Sequence, residues 1–201
     1  MIVYAESNFI LELAYLQEEH ESCEAILDLA ENGRIRLLLP AFAVVEARMS
    51  ARRQTRQRGE FNRRLAQEIR ELGRSKTYSD LPAKSGDLVS ALIESGEEEG
   101  RRLSSVVQRV HRVGQILPTT AEVLDRAHTA ESELRLSPQD AVVYASVADD
   151  LQRDPLPAKV FLNRNSRDFT SPGMESELAR GNCKLLTSFR AGRGFVVSSI
   201  S

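Results

Sequence analysis

The chain opens Met1-Ile-Val-Tyr-Ala-Glu-Ser-Asn-Phe-Ile10, and the reading of these ten residues decides the fold class. The apolar run 1–5 stops at Glu6 with neither a basic flank nor a cleavage-site pattern, so it is a strand and not a signal peptide. Directly after it, Phe9, Ile10, Leu13 and Leu16 recur at helical spacing, with Ser7 placed to cap the helix they define. A strand that passes at once into a helix is the repeating unit of an α/β fold.

The alternation continues outward from there. A helix is expected over about 20–32, with Ile26, Leu27 and Ala30 inward, and a short strand over 35–39. Pro40 opens a third helix at its first position; Phe42, Val45 and Met49 follow, and the helix runs into an arginine-rich arm. In that arm Phe61, Leu65, Ile69 and Leu72 form a narrow apolar stripe ringed by Arg63, Arg64, Arg70 and Arg74. Such a stripe docks within the molecule or forms a homodimer seam. A polar loop is expected over 77–86, then helices over 87–94 and 101–113 with an acidic turn at 95–100 between them. A short strand at 114–118, a helix over 120–135 and a helix starting at Ser137 come next. Strands at 159–163 and 183–189 complete the pattern, and Phe195-Val-Val197 offers an edge strand. Strands separated by helices make a mostly parallel sheet.

Length and composition set the outer limits. The 201 residues suffice for one domain to bury a core without a metal or disulfide staple. At 41% hydrophobic and 28% charged, the chain is neither disordered nor fibrous. Two cysteines 160 positions apart, Cys23 and Cys183, make no disulfide framework, which suits a reducing compartment. No stretch approaches the roughly 18 apolar residues of a membrane span, so the expectation is a cytoplasmic protein with no membrane partner.

The net charge of −2 conceals an uneven distribution. Between Arg48 and Lys76 there are ten basic residues, nine of them arginine, against Glu60, Glu68 and Glu71. This +7 segment, with Arg48, Arg52, Arg53 and Arg56 at its start, belongs to an otherwise acidic chain. Guanidinium groups grip phosphate in bidentate fashion, so the arm reads as a nucleic-acid surface. It reads equally as a solvated helix paired with acids such as Glu97, Glu98 and Glu99.

Several oxygen donors fall where a parallel sheet gathers its chemistry, at strand ends and helix starts. Glu6 follows the first strand, Glu46 lies on the helix leaving the second, and Asp140 is in the first turn of the helix before the fourth. Beyond that strand come Asn163-Arg-Asn165-Ser-Arg-Asp168-Phe169. Oxygen donors without histidine or cysteine suit a hard cation, Mg²⁺ or Mn²⁺, whose charge keeps the carboxylates from repelling one another. Each residue also has a plainer role open to it. Glu6 fits a solvated loop acid, Glu46 a helix-surface ion pair, Ser137-Pro-Gln-Asp140 a capping box, and Asn165 with Asp168 a turn.

Taken together, these segments resemble the PIN-domain ribonucleases. Ile2-Val-Tyr-Ala-Glu6-Ser7-Asn8 is similar to that family's first motif, Pro40-Ala-Phe-Ala-Val-Val-Glu46 to its second, Ser137-Pro-Gln-Asp140-Ala141 to its third, and 163–169 to its fourth. The resemblance covers about 1–50 and 115–190. It implies a three-layer α/β/α sandwich around a mostly parallel sheet of four or five strands, in a single domain over 1–201 with a helical arginine-rich insertion at about 50–115. It also implies a Mg²⁺- or Mn²⁺-dependent endoribonuclease acting on single-stranded RNA. Glu6, Glu46, Asp140 and Asn165 would form the catalytic site, with Asp168 as a further metal ligand and Ser7 and Asn8 orienting Glu6. Arg48, Arg52, Arg53, Arg56 and Arg164 would hold RNA. Many small members are toxins of type II toxin–antitoxin pairs, so an antitoxin protein is an implied partner. The first motif usually carries aspartate where this chain has Glu6, and the fourth commonly has aspartate where it has Asn165.

The rest of the chain offers little competing chemistry. His20 and Cys23, three apart on one helix, lack further ligands, and His111 and His128 have no nucleophile nearby in sequence. No nucleophile elbow and no glycine-rich phosphate loop occurs. Two functions remain, the nuclease and a catalytically weakened PIN-like module that binds RNA or protein.

Overall fold

A computed structural model describes residues 1–153, 157–165, 169 and 172–200. Strands β1 (Ile2–Ala5), β2 (Arg36–Pro40), β3 (Gln115–Leu117), β4 (Lys159–Leu162) and β5 (Cys183–Leu186) form one sheet in the order β3-β2-β1-β4-β5, every pair parallel. Parallel neighbours need crossovers, and helices supply them. The crossovers are α1 (Ser7–Tyr15), α2 (His20–Glu31), α3 (Ala41–Leu72), α4 (Leu81–Val113), α5 (Ala121–Leu134), α6 (Pro138–Arg153) and α7 (Pro172–Arg180), and α8 (Phe189–Ile200) follows the last strand.

Successive strand residues point to opposite faces, and the core divides accordingly. Ile2, Tyr4, Leu38 and Phe161 pack under α5, α6 and α7, whereas Val3, Ala5, Leu37, Leu39, Val160 and Leu162 pack under α1, α2 and α8 and the sheet-proximal ends of α3 and α4. The molecule is thus an α/β/α sandwich, with the sheet fully parallel and five-stranded.

The largest departure from the expected layout lies between β2 and β3. In place of three helices, a loop and an acidic turn stand two continuous helices of 32 and 33 residues, paired as a hairpin. Residues 95–100 lie inside α4. Glycines there cost roughly 1 kcal/mol each relative to alanine, but Glu97–Arg101 and Glu98–Arg102 pairs at i,i+4 and packing along α3 favour the helix. The connector shrinks to 73–80 with one 3₁₀ turn, Lys76–Tyr78. Pro82 falls in the first turn of α4, where its missing N–H breaks no helical bond.

Smaller corrections concern element ends. Pro40 ends β2 and caps α3, which begins at Ala41. The cap of α1 is Glu6 rather than Ser7, its carboxylate accepting from the Asn8 amide at 2.8 Å. The segment 195–197 lies within α8 and adds no edge strand; Phe189 begins that helix, its ring edge-on to Phe9 at 5.7 Å. Of the arm's apolar stripe, Leu65 and Ile69 are half-buried while Phe61 and Leu72 remain exposed.

A carboxylate cleft at the switch point of the sheet

The chain winds from β1 outward to β2 and β3, then returns to place β4 on the other side of β1. That reversal lies between β1 and β4, and at such a point the loops leaving two strands part and open a crevice. The carboxyl ends of β1 and β4 deliver Glu6 and the segment Asn163-Arg164-Asn165 there. The start of α3 brings Glu46, Ser50 and Arg53 on one helical line, and the first turn of α6 brings Ser137, Gln139 and Asp140. Together with Ser7, Asn8, Leu11 and Val143 these residues line a cleft of about 500 Å³.

Glu6 is 5% exposed and held by three donors: the Ser7 hydroxyl at 3.0 Å, the Asn8 amide at 2.8 Å and the Arg164 amide at 3.3 Å. Burial pushes its carboxyl up to about 6, with the Asn8, Arg164 and Ser7 bonds pulling the other way. The Glu46 carboxyl is also raised, first by burial and then by the negative charge of Asp140, against a hydrogen bond from Ser7 and the charge of Arg53. Ser7 thus lies beside both Glu6, to which its hydroxyl donates, and Glu46, and Glu46 senses Asp140.

Asp140 combines its two sequence-level roles. The Ser137 hydroxyl donates to Asp140 Oδ2 at 2.6 Å and accepts from the Asp140 amide at 3.2 Å, which caps α6. The same carboxylate faces the cleft and accepts from the Asn165 amide group at 3.4 Å. Asn165 is oriented in turn by its main-chain N–H, which donates to Asn163 Oδ1 at 2.8 Å. Asp168 lies outside the described residues.

The arginines divide between several tasks. Arg53 stands in the cleft wall beside Ser50. Arg48 and Arg52 flank a shallow hollow on the adjoining face of α3 with Val45 and Met49, both more than half exposed. Arg56 is exposed and pairs with Glu60 at 3.0 Å. Arg164 lines the cleft with its backbone, but its guanidinium pairs with Glu12 and with Glu18. Sequence reasoning passed over Glu12, which is fully buried. Its signal was an acid set among Phe9, Leu13 and Leu16 on the apolar face of α1.

The donor set is all oxygen, with Glu6 and Glu46 raised by burial and Glu46 also by the charge of Asp140, which matches a hard divalent cation in kind. Among the described residues, however, no three Asp, Glu, His or Cys side chains close into a metal-holding group. Glu6 meanwhile accepts three hydrogen bonds, from Ser7, Asn8 and Arg164, that cap α1 and hold the 163–165 loop. Among the described residues, no helix is long and apolar enough to cross a membrane.

The sequence model of the PIN domain matches residues 3–169, spanning β1 through β4 and every acid of the cleft. No curated protein matches the chain. PIN domains are generally nucleases and generally use divalent metal ions. With that match covering most of its length, and with a parallel five-stranded sandwich that opens an acidic cleft at its switch point, the chain belongs to the PIN-domain family.

Proposed function

We propose that this chain is a metal-dependent endoribonuclease that hydrolyses phosphodiester bonds in single-stranded RNA at the cleft. The observation that carries the reading is the convergence of Glu6, Glu46, Asp140 and Asn165 from four separate elements on one polar cavity. Carboxylates raised by burial, as Glu6 and Glu46 are, and in Glu46 also by the charge of Asp140, gain most from a cation brought between them. Glu46, Asp140 and Asn165 would hold that cation. Glu6 would keep the 163–165 loop in place and contribute charge from behind. A bound Mg²⁺ or Mn²⁺ supplies Lewis acidity and lowers the pKa of water.

The protein's own part is orientation. Ser7 orients Glu6, Ser137 fixes the Asp140 rotamer, and Asn163 sets the turn that presents Asn165. Arg53, in the cleft wall, meets the phosphate to be cut, and Arg48 and Arg52 on the next face of α3 take the flanking backbone. Single strands fit because both the cleft and the hollow beside it are open, with Val45 and Met49 offering apolar surface to unstacked bases.

The test is cleavage of a labelled single-stranded RNA by the purified chain with Mn²⁺. Asp140→Asn should lower the rate by roughly 100-fold or more, a loss of the size seen when a charged group at the reacting centre is removed. Undiminished cleavage by that variant would remove Asp140 from the chemistry.

One observation favours a second reading. Glu6 is committed to capping and the described acids close no metal group, as in a module whose catalytic site has weakened while its RNA or protein binding persists. Thermal melts separate the two, because a ligand that binds only the folded state raises the midpoint. An upward shift in millimolar Mn²⁺ that disappears in Asp140→Asn supports the nuclease. No shift, together with arginine-dependent RNA binding, supports the module.

A further inference from the structure

The α3/α4 hairpin is longer than the sheet needs. Along α3 the residues Ala43, Ala47, Ala51, Gln54, Arg58, Phe61, Leu65, Glu68 and Leu72 follow one another at steps of three and four, a straight line on one face. Along α4 the line is Leu81, Leu88, Leu92, Ser95, Glu99, Val106 and Val110. The sheet-proximal half of this face, with Ala47, Ala51, Val106 and Val110, is buried against the body. Cover ends where Arg58 pairs with Glu99 beside Tyr15, at the end of α1.

Past that level the same face continues without cover. Phe61 is 58% exposed, Leu72 48% and Leu88 59%, with Leu65, Leu81 and Leu92 half-buried among them. Fourteen residues of α3 from 59 to 72 extend it by roughly 20 Å at 1.5 Å per residue. A core-facing stripe that runs beyond its own core marks an interaction surface.

We propose that the occupant is a second copy of this chain, its hairpin laid antiparallel across the first as a four-helix bundle about a two-fold axis. The pattern is self-complementary in that register. With the axis crossing α3 near Ala66, Phe61 meets Leu72 of the other copy, and Arg64 comes within one helical turn of the other copy's Glu68 and Glu71. The same axis crosses α4 near Val89 and Ser90, because Ala66 and Ile69 share a groove with Ser85 and Val89. Leu88 and Leu92 of one copy then fall within one helical turn of Leu92 and Leu88 of the other. A two-fold contact requires each patch to complement itself, and this one does so where Phe61 faces Leu72 and where Arg64 faces Glu68 and Glu71. Antiparallel packing also sends the two bodies to opposite ends, whereas a parallel bundle would drive one hairpin's base into the other's α1.

Sedimentation velocity of the full chain over a micromolar concentration series tests this. The wild type should pass from monomer to dimer, and Phe61→Asp combined with Leu88→Asp should weaken the dimer by at least about 100-fold while circular dichroism and melting midpoint stay near those of the wild type. Arg64→Glu should weaken it as well, and Arg64→Glu with Glu71→Arg should restore it. Glu68→Cys, close to the axis, should form an intermolecular disulfide, the native Cys23 and Cys183 being buried. A wild type that stays monomeric throughout overturns the proposal and assigns the face to a different protein. A dimer unchanged by the paired aspartates overturns it too, by placing the contact elsewhere.

Discussion

The main-chain amide of Arg164 donates to the Glu6 carboxylate at 3.3 Å, joining the loop after β4 to the end of β1 across the point where the sheet reverses direction. The Arg164 side chain pairs with Glu12 of α1 and with Glu18 just beyond that helix. Glu12 also accepts the Glu19 amide at 2.9 Å. A fully buried acid thus anchors the strip of backbone that presents Asn165 to Asp140.

Glu12→Gln keeps the shape of that anchor and removes its charge. Arg164 is partly exposed and can turn to solvent, so the stability loss should be about 1–3 kcal/mol, below the loss for a wholly buried pair. The loop should loosen with it. The expected result is a modest fall in the urea midpoint together with weaker Mn²⁺ binding measured by calorimetry. A fall in stability with Mn²⁺ affinity unchanged would confine Glu12 to a structural role.

Glu6 gives the metal-free protein a pH signature whose sign follows from its environment. Its carboxyl is raised in the folded state to about 6, above the ordinary value near 4.3 for an unfolded glutamate. The folded chain therefore holds this proton more tightly, and the stabilisation it gives is complete below the unfolded value and lost as pH rises through about 6. The contribution amounts to about 2 kcal/mol at most. Glu6→Gln, neutral throughout, should remove that fall between pH 4 and 7 when the two proteins are compared without metal. Parallel stability curves for both would show that Glu6 titrates at its ordinary value.

The fold was largely legible because its strands are short, apolar and separated by helices whose spacing is regular. The motif acids could be placed in one cleft because parallel strands deliver their carboxyl ends to the same edge. The hairpin was misread where local signals opposed long-range packing. Gly96, Gly100 and three successive glutamates suggest a turn, yet α3 runs alongside and Arg101 and Arg102 balance the charge. The tail was misread for the converse reason, since Phe195-Val-Val197 has strand-forming residues, yet they lie in α8, which buries Val196 in the core and leaves Val197 exposed. The commitment of Glu6 to capping α1 could not be read from composition, because it depends on a longer side chain folding back onto the amide two residues ahead.

Asn62 shows a polar residue at odds with its surroundings. It is 7% exposed on the face of α3 that meets α4, and its Oδ1 has no hydrogen-bond partner among the described residues. Beside it lies an apolar hollow of about 220 Å³ bounded by Gly59, Leu92, Ile93 and Gly96. Leaving such an oxygen unpaired costs about 1–3 kcal/mol. Asn62→Leu, close in size, should raise stability by about 1–2 kcal/mol in urea unfolding. An equal or lower stability would mean that the oxygen is bonded to water in the hollow.

Asn165 is where the cleft has lost a charge relative to the fourth motif its sequence resembles. Its amide group now donates to Asp140 at 3.4 Å, neutral beside an acid. Asn165→Asp replaces that donor with a second carboxylate facing the first, which repels it in the absence of a cation. The metal-free variant should be less stable than the parent, with Asp140 and the introduced carboxyl titrating higher as a coupled pair. Added Mn²⁺ should more than reverse the loss, giving a larger upward shift in melting midpoint than the parent shows and at least about tenfold tighter binding, equivalent to about 1.4 kcal/mol. If the variant is destabilised without metal and Mn²⁺ does not rescue it, the cleft gathers negative charge for some purpose other than holding a cation.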